Sequence, residues 1–344
     1  MGIVRSGTQI ALDRQVAIKT LRAGHRTGGE SLKLLQEAWV TGSLEHPNIV
    51  PIYDLGLDDT GAPVIVLKRI AGTDWARLLG DGAEVKRRFA AHDLLEWNLR
   101  VLLQVARAIE LAHSRGILHR DIKPENIMVG ELGEVYVLDW GIAVSLRPDE
   151  HRLPRAADAL AIAGTPAYMA PEMLSGQALS PRTDVYLLGA TLHEILTGRP
   201  PHLGATLAET LENVRLSAPL ALALALALAL DRGPAELVAV VQKAMAADPA
   251  ARFGGVAELR AVLEAFLEHR SSKKGISSRR RSSCVASPSR LPSWLPASPR
   301  PRLSRERKRS VVGRSSAATI PRLAAASARS PPGCSAWSSA SCRW

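Results

Sequence analysis

The feature that most constrains this chain is a pair of short segments, HRDIKPEN at 119–126 and VLDWG at 137–141. The first is a polar loop entered through the apolar stretch GIL, and the second ends a strand on an aspartate. Between them, Ile127–Val129 and Val135–Leu138 read as short strands around a GELGE turn. Asp139 therefore lies across a two-strand turn from Asp121, Lys123 and Asn126. Taken singly, each aspartate is an ordinary cap or turn residue. Taken together, the group has a defined chemistry. An aspartate orients or accepts a hydroxyl proton, and a lysine two residues on neutralises phosphoryl oxygens. An asparagine carbonyl ligates a hard cation without adding full charge, and Asp139 adds a carboxylate. Mg²⁺ suits such a set, with few protein ligands completed by phosphate oxygens.

Further segments fall in order around this pair. VAIK at 16–19 ends a strand on Lys19, Glu37 sits on the next predicted helix, and GTPAYMAPE occupies 164–172. With these motifs the chain resembles the protein kinases over about residues 1–269, and most closely bacterial serine/threonine kinases. The resemblance implies an α+β, bilobal protein kinase fold. A small β-rich N-lobe (about 1–70) lacks its first strand, a larger helical C-lobe covers about 71–269, and a disordered tail follows. It also implies transfer of the ATP γ-phosphate to serine or threonine hydroxyls of protein substrates, with Mg²⁺ or, in its place, Mn²⁺. Self-association for autophosphorylation is part of that expectation. The rival reading is a kinase-fold binding module with weak or no transfer.

The resemblance assigns roles by position. Asp121 is the expected catalytic aspartate, and Lys123 the stabiliser of the transferred phosphoryl group. Asn126 and Asp139 are the expected metal ligands. Lys19 would orient the α/β-phosphates and pair with Glu37. Gly2, Val4, Ala17, Leu67 and Ile70 would line the nucleotide pocket. His119 is read as structural, packed below the loop, and Arg120 as a contact for the activation loop. Thr165 would position the substrate hydroxyl, Glu172 would pair with Arg252, and Asp184 at a helix start would brace the catalytic loop.

Several positions depart from the family pattern. Trp140 stands where phenylalanine is commonest, and Thr41, four residues after Glu37, where leucine is frequent; the smaller Thr41 would leave room for the larger Trp140. Lys68 and Arg69 replace an acidic residue and an aromatic, either altering the packing around the base or simply lying exposed. Between Ser145 and Thr165 the loop has no hydroxyl, so Asp149, Glu150 or Asp158 would have to meet Arg120. MGIV at 1–4 matches only the end of the family's glycine-rich loop, with Gly2 its third glycine and Val4 its valine. An internal start is expected, with a strand around residues 8–12 left at an unprotected sheet edge.

Elsewhere, helices are expected over 30–44 (Leu32, Leu35, Trp39 and Leu44 on one side), 93–116, 184–197, 234–246 and 256–269. Strands are expected over Ile49–Leu57 and Pro63–Ile70 around a DDTG turn. LALALALALAL at 220–230 formally alternates as a strand, but it specifies no unique packing and reads as a low-complexity connector or an expanded gene repeat. The net charge of +11 would suggest a nucleic-acid partner. Its distribution argues otherwise: residues 271–344 hold 16 Lys and Arg against the single acidic Glu306, which leaves the body slightly acidic. Nucleic acid is thus expected only through the basic tail. That tail, 270–344, contains 20 serines and sustains no apolar periodicity, so disorder is expected. Three readings stay open for it: an adaptor for anionic surfaces, a substrate of the enzyme itself, or a translation artefact, which the abrupt change of composition favours. All three cysteines lie there, so the body fits a reducing, cytoplasmic setting, and no apolar run is long enough to span a bilayer.

Overall fold

The computed structural model describes residues 2–22, 27–149, 152–158, 162–216 and 234–279. The N-terminal part is a four-stranded antiparallel sheet in the order β1-β2-β4-β3. Its strands are β1 (Gly2–Gln9), β2 (Arg14–Leu21), β3 (Ile52–Leu57) and β4 (Pro63–Lys68). Helix α1 (Gly28–Ser43) packs on it, started by the Thr27 side chain, which accepts from the Glu30 amide. The expected strand around 8–12 is corrected. The strand is Gly2–Gln9, and Ile10–Leu12 form a 3₁₀ turn closed by Asp13 at φ 45°. Asp13 tolerates that left-handed conformation, so the chain reverses tightly and Gln9 comes to face Arg14. Strand β1 ends the sheet order, with β2 as its neighbour.

The buried side of α1 also differs from expectation. Leu34, Ala38 and Thr41 are buried, with Val40 and the following Leu44, whereas Leu32 is 48% exposed. The buried face is thus rotated from the expected one, since positions two apart lie on different sides of a helix. Leu34 wins because, with Ala38, it closes a small apolar cluster under the sheet with Leu21 and Ile65.

The C-terminal part begins with β5 (Gly72–Asp74) and two short helices, α2 (Trp75–Gly80) and α3 (Gly82–Phe89), which sequence periodicity did not single out. Helix α4 (Leu94–Ser114) follows, its Asp93 cap accepting from the Glu96 amide. Its Leu99, Leu102, Leu103, Ala106 and Ile109 are all buried, as their spacing predicted. Strand β6 (Ile117–Leu118) pairs with β9 (Val144–Ser145), while β7 (Ile127–Gly130) pairs with β8 (Val135–Val137). Helix α5 (Glu172–Ser175) is short. Helix α6 (Pro181–Thr197) is capped by Ser180 and Thr183 reciprocally and buried through most of its length, which makes it the centre of the main core. The remaining helices among the described residues are α7 (Leu207–Leu216), also not anticipated, α8 (Ala235–Ala244) and α9 (Val256–Arg279). Helix α9 runs past the expected boundary at 270. The 220–230 repeat and the tail beyond Arg279 lie outside the described residues.

Candidate active site

On the N-lobe side the site is built on the strand register. Lys19 in β2 faces Val4 of β1 on one side and Ile65 of β4 on the other. The Lys19 ammonium donates to a Glu37 carboxylate oxygen and lies 3.9 Å from Asp139 Oδ1. Burial pushes the Glu37 carboxyl above its ordinary value, against the pull of Lys19. Ala17 pairs with Leu67, which is half-buried, as is Ile70 just beyond β4. Val4 is exposed. A Cβ placed on Gly2 would come within 3.2 Å of Lys19 Cε, so β1 runs close over that lysine.

On the other side, three side chains converge on Asp121. Lys123 Nζ donates to its Oδ2 at 2.8 Å, Asn126 Nδ2 to the same oxygen at 2.8 Å, and Thr165 Oγ1 to Oδ1 at 2.7 Å. Lys123 also donates to the Thr165 hydroxyl. Burial raises the Asp121 carboxyl, but these hydrogen bonds outweigh it and hold the group below its ordinary value. Thr165 reaches the loop because Gly164 adopts φ 123°, where a Cβ would sit 3.0 Å from the Arg120 carbonyl.

The loop is held from below by Asp184, fully buried in the first turn of α6. Its carboxylate accepts the backbone N–H groups of His119 and Arg120, both at 2.9 Å, and lies 2.8 Å from His113 Nε2. Those two amides fix the turn in which Arg120 takes φ 71°. Burial alone would raise the Asp184 carboxyl; the contact with His113 and these bonds bring it below its ordinary value. His113 is the one member the sequence reading passed over, although a polar residue on the apolar face of α4 marked it. His119 is fully buried, its Nδ1 accepting from the Asp121 amide and its Nε2 3.2 Å from the Leu138 carbonyl.

The segment that carries Asp139 toward Lys19 is tied to the Asp121 loop by a backbone bond, Leu138 N–H to the Asn126 carbonyl at 2.8 Å. Asp139 follows at φ 58°, its side chain 54% exposed. Trp140 is buried against His119, ring centroids 4.5 Å apart. Both hydrogen bonds of the Asn126 side chain are donated by Nδ2, so its carbonyl oxygen is the ligand it presents to a cation. With the open Asp139 carboxylate this gives two oxygen donors. Among the described residues no group of three or more His, Cys, Asp or Glu is placed to hold a metal unaided. The donor set thus fits a hard cation completed by phosphate oxygens.

The family model for the protein kinase domain matches residues 1–266. The chain belongs to the protein kinase family. Its relatives include a Streptomyces coelicolor protein named as a probable serine/threonine-protein kinase, 34% identical over 75% of this chain and 37% of the relative. Serine/threonine-protein kinase PknB of Mycolicibacterium smegmatis is 33% identical over 84% of this chain and 45% of its own length. Serine/threonine-protein kinase PknD of Protochlamydia amoebophila is 32% identical over 79% and 29%. The chain therefore spans less than half the length of these curated relatives. Protein kinases generally use ATP and Mg²⁺.

Within this kinase domain, Glu172 and Arg252 meet as expected but apart from the Asp121 group. Arg252 Nη1 and Nη2 bind the two Glu172 oxygens at 2.6 and 2.8 Å, both side chains buried. The kinase's activation segment departs from one expectation. Asp158 pairs with Arg155 at 2.6 Å, whereas Arg120 donates from Nη1 to the Ile142 carbonyl at 3.3 Å. A carboxylate three residues from its own arginine forms the local pair at little entropic cost. Asp149 is exposed, and Glu150 lies outside the described residues. Ser145 is buried, bonded to Arg147. Lys68 is not simply exposed, since its ammonium donates to the Tyr136 hydroxyl, while Arg69 is exposed. Among the described residues no helix is long and apolar enough to cross a membrane.

Proposed function

We propose that the chain is a protein serine/threonine kinase that transfers the γ-phosphate of ATP to protein hydroxyls, its own among them. The observation that carries this reading is the convergence of Lys123, Thr165 and Asn126 on Asp121, with Lys19, Glu37 and Asp139 facing them. Mg²⁺, or Mn²⁺, would be held by Asn126 and Asp139, and would neutralise phosphate charge. Lys19, oriented by Glu37, binds and orients the α/β-phosphates. Leu67, Ala17, Val4 and Ile70 form the apolar walls for the base, and Gly2 lets β1 approach. Asp121, ionised because its hydrogen bonds hold it so, aligns the acceptor hydroxyl and takes up its proton. Lys123 steadies the phosphoryl oxygens, and Thr165 fixes the Asp121 carboxylate and the acceptor. Arg120 and His119 hold the loop on Asp184, and Glu172 with Arg252 anchors the segment that carries Thr165. Catalysis on this reading is positioning and charge neutralisation.

The test is transfer of labelled γ-phosphate to a generic protein substrate and to the chain itself, with Asp121→Asn as control. Transfer by the wild type and its loss in the variant is the expected result. Equal signals from two folded proteins would favour a kinase-fold binding module instead.

A further inference from the structure

Lys68 closes β4 and is the last residue of the N-lobe sheet. It follows Leu67, the residue that faces Ala17 across the strand pair, and its own partner in β2 is Val16. Its amide donates to the Pro51 carbonyl at 3.0 Å, so its backbone is fixed. Its side chain crosses to the other lobe. The ammonium donates to the Tyr136 hydroxyl and lies 4.6 Å from the centroid of the same ring. Tyr136 is buried in the middle of β8. The residues on either side of it also carry bonds between the lobes. Asn48 Nδ2 donates to the Val135 carbonyl at 2.9 Å, and the Val137 amide donates to the Asn48 carbonyl at 2.7 Å. Three residues after Tyr136 comes Asp139.

The path Leu67, Lys68, Tyr136, Val137, Leu138, Asp139 thus joins the side of the cleft that would take the base to the side that would take the metal. Only its Lys68–Tyr136 step is a side-chain contact, and it is made by the lysine that stands where an acidic residue is common. The hydrogen bond to Tyr136 also holds the Lys68 ammonium above its ordinary value, helped by Tyr53 and Glu134 nearby. Tyr53 in turn lies under the Arg14 guanidinium, 3.6 Å from its ring centroid. Arg14 over Tyr53 and Lys68 over Tyr136 are thus two cation–ring contacts in this region.

We infer that Lys68 and Tyr136 form a clasp between the lobes, which makes Lys68 a positioning residue for the nucleotide. It acts through Tyr136 and the strand that leads to Asp139. The part that concerns nucleotide rests on the kinase reading above; the clasp itself does not.

The test uses the full chain and four variants: Lys68→Met, Tyr136→Phe, the double variant, and Lys68→Arg. Calorimetric binding of ADP with Mg²⁺ is measured beside KM and kcat for ATP. Lys68→Met should weaken ADP binding and raise KM by about fivefold, the order set by one partly exposed charge-assisted hydrogen bond, with kcat within about twofold. Tyr136→Phe, which keeps the ring, should have a smaller effect. The double variant should be no worse than Lys68→Met, and Lys68→Arg should recover most of the loss. Without nucleotide, amide exchange at residues 66–71 and 135–139 should speed up together in Lys68→Met. Unchanged affinity with fully additive single variants would overturn the positioning role, and uncoupled exchange would overturn the clasp. A wild type that binds no ADP but shows the coupled exchange would overturn the kinase reading and leave the clasp standing.

Discussion

Lys19–Glu37 and Arg252–Glu172 join the same two kinds of charge in two different settings. The first pair is 17% and 13% exposed, makes a single contact, and faces a third charge, Asp139. The second is 0% and 1% exposed and bidentate. Arg252 there also donates to the carbonyls of Arg182, Ala246 and Ala247. Its guanidinium lies 4.7 Å from the centroid of Tyr186. Every direction around that arginine is filled. The lysine makes one hydrogen bond and stands beside a carboxyl that burial raises above its ordinary value. One pair is arranged to accept a third party, and the other to exclude one.

Breaking the buried pair should have the largest effect. Arg252→Met leaves an uncompensated carboxylate in the core and should lower stability by about 3–5 kcal/mol. Urea unfolding followed by circular dichroism measures it; a loss below about 1 kcal/mol would place this pair with the exposed ones. Lys19→Met should invert the pattern. Phosphoryl transfer should fall by about 10²–10³-fold, the usual effect of removing one preorganised charge. The stability change should be smaller than that of Arg252→Met, because the Glu37 carboxyl can take up a proton. Steady-state rates with melting curves of the same samples separate the two outcomes.

Acid should discriminate between the lobes in the same way. Tyr186, beneath Arg252, meets His202 Nε2 through its hydroxyl at 2.7 Å. Burial pushes His202 and the neighbouring His193 down to about 4 from the ordinary 6.5. The folded state then stays neutral while the unfolded chain takes up protons below 6.5. Stability from these groups is complete above that pH and is lost as pH falls toward 4, by up to about 3 kcal/mol for each histidine. Glu37 has the opposite sign: its carboxyl is raised in the folded state, so the folded protein binds that proton more readily than the unfolded chain and the group adds nothing to the acid loss. Unfolding midpoints between pH 7 and 4, with His202→Phe for comparison, test this. A flat profile, or one unchanged in the variant, would remove the histidines from the account.

The Asp121 side of the candidate site was legible because its parts are close in sequence. Asp121, Lys123 and Asn126 lie in one loop, and Asp139 returns across one hairpin, so order and spacing carried the geometry. The Glu172–Arg252 and Lys19–Glu37 pairs were legible only through resemblance, since nothing local joins residues 80 and 18 positions apart. What the sequence hid was decided by tertiary partners. Leu32 and Leu34, two positions apart, lie on different sides of α1, and only the sheet above decides which side is buried. Helices Trp75–Gly80, Gly82–Phe89 and Leu207–Leu216 are short, and short helices are held by packing more than by propensity. The sequence left the place of Lys68 open, between packing near the base and an exposed strand end, because its acceptor, Tyr136, is 68 residues away.

The smallest expected effect concerns the buried residues Trp140 and Thr41. Trp140 is buried against His119, and its indole N–H has no acceptor among the described residues. Thr41 is also buried, and its hydroxyl donates to the Glu37 carbonyl at 2.8 Å, so it sits on the helix turn that aims Glu37 at Lys19. If the small side chain there leaves the volume that the indole needs, Thr41→Leu overpacks the site and should cost about 1–3 kcal/mol. In a Trp140→Phe background the same change should cost less, because the smaller ring frees space. The difference between the two costs is the coupling energy of a double-mutant cycle, expected at about 0.5–1 kcal/mol for side chains that share a cavity. Denaturant midpoints of the four proteins give it directly. Equal costs in both backgrounds would show that Thr41 and Trp140 are sized independently, and the reason for a tryptophan in VLDWG would then have to be sought at His119 alone.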